Sequence, residues 1–537
     1  MTPRWASSFA VGIAVFVAGA VLLGVEIAAS RVLAPFFGNS LYVWGSLIGV
    51  VLAGLAIGYG LGGALADRYP TPQLLVAMIG FGGALVLAIP LLDAPVLEGV
   101  VRWDPGPRVN PLLASFVLFG PMSVVLAGVT PVAVRLQASS LHRVGRTAGH
   151  LFALSTTGSI AGTIGTAFWL VPELGTGQLL GFAALALFAA AGITALANLN
   201  LPAVVASAGA AAAAAVVAVA LAPDTGDTLS GVAARNWSPL YRSFDAAGPA
   251  DAPTEGRIVY SRDTRYHRLY VVDDGNTRYL RFDASLQSAM YRGDPFRTRF
   301  RYTDYLHLGV AYNPGARSVL FVGLGGGSAP KRMWQDFPRL RLQVAEIDPV
   351  VVEVAERYFA LPRDSRLQVE VEDGRGYLDG TDRRFDVIVL DAFFADGIPF
   401  HLFTHEFLEL ARQRLEPGGV VVTNMIGSLA GPGSRLFRSV YRTYRTAFPT
   451  VLVHPVVLDG ETGATALRNL IVVATEQPAP EKRFLVERWE ELRQRYRTVP
   501  DLRKPILDRH DALVATRDVP VLTDEYAPTD SLLLLNQ

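Results

Sequence analysis

Seven apolar runs occupy the first 222 residues of this 537-residue chain. A bilayer core about 30 Å thick needs roughly 20 helical residues to cross it. Only 14 charged side chains fall within residues 1–222, whereas the other 82 fall within residues 223–537. The runs lie at about 9–30, 41–66, 74–97, 112–136, 150–171, 177–198 and 201–222. This contrast predicts a polytopic α-helical membrane domain of about seven spans, followed by a soluble domain.

The composition excludes several other classes of protein. Charged residues make up 18% of the chain, and 48 basic residues balance 48 acidic ones. That balance is unlike a disordered, collagen-like or coiled-coil protein. It also provides no excess of positive charge to gather phosphates, so no nucleic acid partner is expected. The chain has no cysteine, which rules out disulfides, thiolate nucleophiles and cysteine-ligated metal centres.

Two charged residues, Glu26 and Arg31, interrupt the first apolar run. Ionisable groups within a membrane are costly and therefore suggest a function. We expect a structural ion pair near the interface, with Arg31 reaching toward it, because one pair of charges falls short of a transport pathway. The glycines at positions 54, 58, 60, 62 and 63 are expected to serve close packing between helices.

The second half of the chain alternates between strand-like and helix-like segments. Residues 266–272 and 278–282 flank an Asp-Gly turn, which predicts a small antiparallel subdomain. A helix is predicted over 302–311. Five buried strands are then predicted at 318–322, 342–347, 367–372, 385–390 and 420–423, with helices between them, including one over 404–415. Such repeats predict a Rossmann-like, doubly wound parallel sheet.

Polar residues follow the predicted strands where such a sheet binds its ligands. The first strand runs into a glycine-rich turn that contains Gly323, Gly325, Gly326 and Gly327. Acids end the next strands: Glu346 can accept hydrogen bonds from a ribose diol, Asp373 beside Gly374 can accept from an adenine amino group, and Asp391 ends the fourth strand. The packed glycines favour an S-adenosylmethionine type of ligand over NAD, and no P-loop lysine follows them.

Residues of about 258–475 resemble the spermidine synthase (polyamine aminopropyltransferase) family. The resemblance rests on the stretches DDGNTRY, RYTDYLHLG, VLFVGLGGGS, AEIDPVVVEVA, VEDGRGYL, FDVIVLDAF and LFTHEFLELARQRLEPGG. It implies a small β subdomain, a Rossmann-like domain and decarboxylated S-adenosylmethionine as co-substrate. The stretch Val25–Val50 resembles the membrane part of bacterial proteins in which transporter-like helices are fused to such a domain.

The resemblance implies roles for individual residues. Glu346 would bind the ribose, Asp373 and Gly374 would face the adenine, and the glycine turn would line the co-substrate. Asp391 matches the first acid of the family's Asp-x-x-Asp catalytic motif. Tyr302 and Asp304 match its Tyr-x-Glu.

The chain departs from the family pattern where the amine would bind. Ser328 replaces an acid that holds the aminopropyl ammonium. Phe394 replaces the second catalytic acid, although Asp396 lies two residues further on. Arg278 lies near the position of a family glutamine. The resemblance therefore implies an intact adenosine half of the site and an altered amine half.

Two features fall outside the family motifs. His401 and His405 lie four residues apart, but no third metal ligand is near them in the sequence, so we expect a helix cap and a surface contact and no metal. The C-terminal segment 522–528 is expected to pack as a tail on the sheet. It could instead return acids to the amine pocket and compensate for Ser328.

These arguments predict five segments. They are a transmembrane domain at 1–222, a linker at 223–256, a small β subdomain at 257–300, a Rossmann-like catalytic domain at 301–480, and a C-terminal helix and tail at 481–537. The predicted function is aminopropyl transfer from decarboxylated S-adenosylmethionine to an amine. Two alternatives stay open: an S-adenosylmethionine-dependent methyltransferase, and a transporter or sensor that only binds a polyamine or adenosyl ligand.

The predicted surroundings are the lipid bilayer of the inner membrane and a small amine or polyamine substrate, and a homodimer is left open. The loop between the fourth and fifth runs carries Arg135, Arg143 and Arg146, which weakly favours an external soluble domain. Adenosyl compounds and polyamines are made in the cytoplasm. Because the arginine bias is slight, we predict that the soluble domain faces inward.

Overall fold

The computed structural model describes most of the 537 residues. It leaves out residues 1–3, 38–40, 107, 139–142, 172–173, 221–227, 230–255, 284, 394–397, 458–462, 530–531 and 533–537, and for 4–7, 35 and 228–229 it describes only the backbone. The chain forms two compact units. The first, called here the helical unit, comprises Met1–Thr225 with Ser261–Arg268, and the second, the α/β unit, comprises Gly226–Tyr260 with Leu269–Gln537.

The helical unit contains seven stretches of helix that are long and apolar enough to cross a membrane. Thr71 caps one of them, with Pro72 in its first turn, and two helices that meet at Gly128 together form the fourth stretch. The helices are α1 Arg4–Phe37, α2 Leu41–Arg68, α3 Pro72–Trp103, α4 Val109–Ala127, α5 Val129–Gln137, α6 Val144–Gly165 (continued by a π-helical turn, Thr166–Leu170), α7 Thr176–Ala197 and α8 Leu201–Ala220. Their number and positions agree with the seven predicted runs.

Three of the five predicted packing glycines lie at a helix crossing. A methyl group on Gly58 of α2 would lie 2.3 Å from the backbone oxygen of Val124 in α4, and Gly54 and Gly62 are equally restricted by α4 and Gly128. The glycines at 60 and 63, in contrast, have open space around them. Close approach of two helix backbones therefore explains the glycines on one face of α2. It does not explain those at positions 60 and 63.

Arg31 does not form the ion pair with Glu26 that the sequence suggested. Its Nη2 donates to the backbone oxygen of Arg265 at 2.5 Å, within the segment Ser261–Arg268 that belongs to the helical unit. The same segment supplies Asp263, whose Oδ2 accepts from the backbone N–H of Thr176 at 2.9 Å. Thr176 begins α7, and the N-cap residue before it, Gly175, makes no side-chain hydrogen bond to the helix. Asp263 therefore caps the N-terminus of α7 in its place.

An antiparallel sheet opens the α/β unit. Its strands pair in chain order: β1 Thr228–Leu229, β2 Gly256–Asp263, β3 Arg268–Asp274, β4 Thr277–Phe282, β5 Ser285–Tyr291 and β6 Asp294–Thr298. Gly275 has a φ of 53° in the turn between β3 and β4, as a tight Asp-Gly hairpin requires. Most of the predicted linker lies outside the described residues, and the part that is described, β1, pairs with β2.

The second sheet has seven strands in the order β12-β13-β11-β10-β7-β8-β9. The strands are β7 Ser318–Val322, β8 Arg341–Glu346, β9 Leu367–Val371, β10 Phe385–Leu390, β11 Leu415–Gly427, β12 Thr450–Pro455 and β13 Arg468–Thr475. Strands β7 to β11 are parallel, as predicted. The sheet is nevertheless mixed, because β13 pairs antiparallel with both β11 and the edge strand β12, and the sequence did not predict either β12 or β13.

Helices cover both faces of this sheet. They are α9 Tyr302–Tyr305, α10 Leu308–Tyr312, α11 Ser328–Asp336, α12 Pro349–Tyr358, α13 Gly374–Gly380, α14 His405–Gln413, α15 Arg435–Ala447, α16 Lys482–Arg495 and α17 Arg503–Leu507. The predicted helix over 302–311 is two short helices. Alternate residues of β7 enter two separate cores: Val319 and Phe321 join one, whereas Leu320 and Val322 join the other. The apolar strand sequence follows from burial on both faces.

Candidate active site

The glycine turn connects β7 to α11 and brings two strand ends together. Gly323, Gly325 and Gly327 have φ values of 94°, 52° and 67°, a region that favours glycine. A methyl group on Gly323 would lie 2.5 Å from the backbone oxygen of Asp391. The turn therefore needs glycine both for its backbone conformation and for its close approach to the end of β10.

Glu346 ends β8 and is buried against this turn. Its Oε2 accepts from the backbone N–H of Leu324 and its Oε1 from that of Asp348, both at 2.9 Å. Burial raises the pKa of Glu346 to about 7, although backbone hydrogen bonds to the carboxylate oppose the shift. Since each oxygen has a second lone pair, the carboxylate can also accept from a ligand diol.

Asp391 follows β10, and its carboxyl group is held by a chain of amides. The Nδ2 of Asn424 donates to Oδ1 of Asp391 at 2.8 Å, and the Nδ2 of Asn469 donates to Oδ1 of Asn424 at 2.9 Å. The surrounding protein raises the pKa of Asp391 to about 6, while the bond from Asn424 lowers it. The sequence did not point to either asparagine, because the strands that carry them, β11 and β13, contain other polar residues as well.

Asp373 caps the N-terminus of α13 and pairs with a histidine. Its Oδ1 accepts from the backbone N–H groups of Arg375 and Gly376, both at 3.0 Å, and its Oδ2 lies 2.9 Å from Nε2 of His401. The hydrogen bond from His401 lowers the pKa of Asp373. A methyl group on Gly374 would lie 2.2 Å from Cγ1 of Val322, so α13 packs directly against the end of β7.

The two histidines thus have different surroundings. His401 bonds to Asp373 just beyond the end of the edge strand β9, a contact that the sequence did not indicate. His405 bonds to Oγ1 of Thr446 at 2.8 Å and makes the expected surface contact. The N-cap of α14 is Thr404, however, and not either histidine. Within the described part of the chain, no group of three or more histidine, aspartate or glutamate side chains could hold a metal ion.

Ser328 begins α11 and is buried against the antiparallel sheet. Its Oγ lies 2.9 Å from Oγ of Ser288 in β5. The backbone oxygen of Gln287 lies 4.0 Å from a methyl group placed on Gly325. The structure therefore brings Gln287 and Ser288 to the glycine turn, and the sequence analysis missed both because β5 carries no motif of its own.

Arg278 lies on β4, where a cross-strand partner offsets its charge. Its Nε and Nη2 donate to the two carboxylate oxygens of Asp273 at 2.6 and 2.8 Å, and its Nη1 donates to the backbone oxygen of Tyr358. The salt bridge lowers the pKa of Asp273 and raises that of Arg278. A paired guanidinium repels a cationic amine less than the sequence alone suggested.

Tyr302 and Asp304 lie in α9 and have local partners. The ring of Tyr302 stacks on that of Phe300, with centroids 6.3 Å apart. Oδ1 of Asp304 accepts from Oγ1 of Thr298 at 2.8 Å. Their roles in the reaction stay predictions. Phe394 and Asp396, the remaining candidates of the altered motif, lie outside the described residues.

The C-terminal tail returns to the sheet, as expected, but its first acid is already paired. The two carboxylate oxygens of Asp524 accept from Nη1 and Nη2 of Arg375 at 2.7 and 2.6 Å. This pair lowers the pKa of Asp524 to about 2. Asp524 is thus occupied next to Asp373, which argues against the idea that it compensates for Ser328.

The fold and the strand-end residues define the class of the α/β unit: it is a Rossmann-like domain of the methyltransferase-like type. The family can be named from direct comparison. Residues 299–456 match the family model of the spermine/spermidine synthase domain. The C-terminal part of the chain therefore carries a spermine/spermidine synthase domain.

Two of the relatives carry the name polyamine aminopropyltransferase. A polyamine aminopropyltransferase of Vibrio vulnificus is 33% identical over 203 residues, which cover 36% of this chain and 66% of that protein, just under two thirds. A polyamine aminopropyltransferase of Mycobacterium tuberculosis is 25% identical over 447 residues, covering 76% of this chain and 81% of that protein. Because residues 223–537 are only 315 of the 537, this alignment must extend into the helical unit.

One relative is named as a methyltransferase homolog. A Drosophila pseudoobscura eEF1A lysine and N-terminal methyltransferase homolog is 31% identical over 119 residues, covering 20% of this chain and 18% of that protein. Among solved structures, the spermidine synthase from Thermotoga maritima is 20% identical, with a TM-score of 0.36 and coverage of 47% of this chain and 89% of that chain.

Proposed function

We propose that the chain is a membrane-bound aminopropyltransferase that moves the aminopropyl group of decarboxylated S-adenosylmethionine to an amine. The observation that carries the proposal is Asp391, a carboxyl group with a pKa of about 6 that two asparagines hold beside the glycine turn. General bases work best when their pKa lies near the operating pH. The relatives named polyamine aminopropyltransferase supply the reaction class.

The adenosine half of the co-substrate would bind along the strand ends. Glu346 would accept hydrogen bonds from the ribose hydroxyls through the lone pairs that Leu324 and Asp348 leave open. Asp373 would lie at the adenine, with His401 fixing its second oxygen. The glycine turn lets the backbone approach the co-substrate because no side chain intervenes.

Asp391 would act as the proton acceptor in a direct displacement. The nitrogen lone pair of the acceptor amine attacks the aminopropyl carbon next to the sulfonium, and the C–N bond forms as the C–S bond breaks. The electron pair of the C–S bond stays on sulfur, which leaves as a neutral thioether. The proton lost by the amine passes to the Asp391 carboxylate, so charge and atoms balance. Asn424 orients this carboxylate toward the reaction.

Methyl transfer from intact S-adenosylmethionine is a second candidate, favoured by one observation. Ser328 and Ser288 hydrogen-bond to each other at 2.9 Å where the family places an acid for the aminopropyl ammonium. Two hydroxyl groups attract an ammonium less than a carboxylate does, whereas hydroxyl and backbone N–H groups can accommodate the carboxylate of the intact compound.

One experiment separates the candidates. The purified full-length protein is incubated with amine acceptors and either decarboxylated S-adenosylmethionine labelled in the aminopropyl group or S-adenosylmethionine labelled in the methyl group. Transfer of the aminopropyl label alone is expected. Transfer of the methyl label alone would replace the proposal with the second candidate. Binding of either compound without any transfer would leave a sensor or transporter as the function.

We further propose that the helical unit spans the inner membrane and that the α/β unit faces the cytoplasm, where both substrates are made. Seven helices of sufficient length and apolarity support the first part. Protease treatment of sealed inverted and right-side-out vesicles tests the second part. Cleavage of the α/β unit only from the outer face would contradict it. The homodimer and the five predicted segment boundaries stay predictions.

A further inference from the structure

The last part of the chain forms a strap across the α/β unit, and the proposed reaction does not use it. The strap comprises residues 514–527, which contain no helix or strand. Its Val514 and Leu522 are buried in one of the two cores that flank β7. A terminal segment without regular structure keeps its place only where other elements hold it. Its hydrogen bonds therefore show where the strap is fixed.

The first half of the strap is fixed to α15. Nη1 and Nη2 of Arg438 donate to the two carboxylate oxygens of Asp518 at 2.5 and 2.9 Å. The backbone N–H of Leu522 donates to Oγ1 of Thr443 at 2.9 Å. Paired guanidinium and carboxylate groups of this kind add geometric specificity to their charge. This half of the strap thus has its own anchor, and none of these residues is among those assigned to the co-substrate.

The second half of the strap crosses α14 and reaches α13. The backbone oxygen of Leu522 accepts from the backbone N–H of His405 at 2.9 Å, and the backbone N–H of Asp524 donates to Oε2 of Glu406 at 3.0 Å. The carboxylate oxygens of Asp524 accept from Nη1 and Nη2 of Arg375, as described above. The backbone of Asp524 is therefore fixed by α14 and its side chain by α13.

Arg375 connects the strap to the acid expected at the adenine. Its Nη1 also donates to the backbone oxygen of His401 at 3.3 Å, and its backbone N–H donates to Oδ1 of Asp373 at 3.0 Å. His401 in turn lies 2.9 Å from Oδ2 of Asp373. An arginine side chain has many rotamers, and pairing with Asp524 restricts Arg375 to the one that contacts His401.

We infer that Asp524 is a positioning residue of the co-substrate site, which holds the adenine-binding acid Asp373 in place through Arg375 and His401. The inference rests on the proposed function, because it takes Asp373 as the residue that faces the adenine. Oδ1 of Asp373 accepts from two backbone N–H groups, so Oδ2 is the oxygen with a lone pair left for the adenine amino group. His401 bonds to that same oxygen, and its position therefore sets the direction of the remaining lone pair.

The strap contains a matched comparison for this role. Asp518 and Asp524 both have an arginine partner that contacts both carboxylate oxygens. Asp518 fixes the strap to α15, whereas the partner of Asp524 leads to Asp373. Loss of either pair should lower the thermal stability slightly, but only loss of the second should lower the affinity for adenosine compounds.

The test uses the full-length protein in detergent and 5′-methylthioadenosine, the thioether that aminopropyl transfer would leave. Calorimetric titration compares wild type with Asp524→Asn, the control Asp518→Asn, Arg375→Gln and the double variant Asp524→Asn/Arg375→Gln. Asp524→Asn should bind the probe roughly two- to fivefold more weakly, because the ion pair is partly exposed. Asp518→Asn should bind like wild type. The double variant should bind as Arg375→Gln does, because Asp524 acts only through Arg375.

Two further readouts separate a positioning role from a structural one. In transfer assays, Asp524→Asn should raise KM for the co-substrate severalfold and leave turnover at saturation unchanged, because the proton acceptor is Asp391. Coupling between two sites is reciprocal, so the probe should slow hydrogen exchange of the backbone amides of residues 522–526 in wild type. This protection should be lost in Arg375→Gln.

Three results would overturn the inference: equal affinity of Asp524→Asn and wild type, an equal loss in Asp518→Asn, or losses that add in the double variant. If wild type binds no 5′-methylthioadenosine, the proposed function fails together with the inference. Binding by wild type that does not depend on Asp524 removes the inference alone.

Discussion

The helical unit and the α/β unit satisfy their buried polar groups in different ways. In the helical unit, three buried hydroxyl groups bond within their own helix: Ser46 donates to the backbone oxygen of Tyr42, Ser123 to that of Phe119, and Thr194 to that of Ala190, whereas Ser159 donates to Gly19 of another helix. In the α/β unit, polar groups at the strand ends bond to other elements. Asp391 is held by β11, Asp373 by the segment before α14, and Glu346 by the glycine turn.

This difference in hydrogen bonding indicates which property of each unit is sensitive to mutation. Hydroxyl groups that are satisfied locally leave the helix surfaces free for direct backbone contact, which small residues permit. Carboxylates that are satisfied from other elements have their positions fixed by the whole fold, and their pKa values depend on it. Packing is therefore the sensitive property of the helical unit, whereas carboxylate chemistry is the sensitive property of the α/β unit.

The largest effect is expected at Asp391. Asp391→Asn removes the proton acceptor and should lower turnover roughly 10²–10⁴-fold while co-substrate binding survives. The measurement is transfer of labelled aminopropyl groups at saturating co-substrate. Full activity of the variant would break the assignment of chemistry to this strand end.

A control for this change lies at the other end of the same strand. Oδ2 of Asp386 accepts from the backbone N–H groups of Arg317 and Ser318 and from the Ser318 hydroxyl. Asp386→Asn should lower the thermal stability of the protein but leave turnover per folded molecule within about twofold, because the residue is remote from the reacting atoms.

The helical unit should respond to added volume instead. A methyl group on Gly162 of α6 would lie 2.0 Å from the backbone oxygen of Ala20, whereas one on Gly165 would meet nothing within 4 Å. Gly162→Ala should therefore destabilise the unit by about 1–3 kcal/mol, the usual cost of overpacking. Gly165→Ala should be neutral or slightly stabilising, because alanine favours helix. Equal melting temperatures of the two variants in detergent would contradict the packing argument.

The pH dependence of the reaction tests whether carboxylate chemistry is the sensitive property of the α/β unit. Burial raises the pKa of Asp391 to about 6, and only the ionised carboxylate accepts a proton. Below pH 6 the group is mostly protonated, so turnover at saturating co-substrate, a condition in which Glu346 already holds the ribose, should rise roughly tenfold from pH 5 to pH 7 and then level off. Asn424 donates to the carboxylate and favours its ionised form, so Asn424→Ala should move the midpoint to higher pH. A midpoint that moves down, or that stays fixed, would show that another group is titrating.

The smallest effect is expected at His401. The bond between His401 and Asp373 is partly exposed, and such ion pairs contribute about 0–1 kcal/mol. His401→Ala should weaken adenosyl-ligand binding by at most about fivefold. His405→Ala should leave affinity unchanged, because His405 bonds to Thr446 on the surface. Calorimetric titration of the two variants compares them directly, and an equal loss in both would exclude a special role for His401.

The sequence alone determined the features that depend on local patterns. Continuous apolar runs predicted the seven long helices, and short apolar strands followed by glycine or an acid predicted β7 to β10 closely. The strand-end residues Glu346, Asp373 and Asp391 follow from the same pattern, because the ends of parallel strands meet at one edge of the sheet. Family motifs added the reaction class.

Only the tertiary structure decided which groups meet. Asn424 lies 33 residues from Asp391, Ser288 lies 40 residues from Ser328, and His401 lies 28 residues from Asp373. The strands β12 and β13 and the pairing of Arg278 with Asp273 were likewise decided by the tertiary structure. A hydrogen bond needs its donor within about 3 Å of its acceptor, a distance set by the packing of whole elements and not by neighbours in the chain. For that reason the sequence could name the acids of the site but not the partners that set their charge.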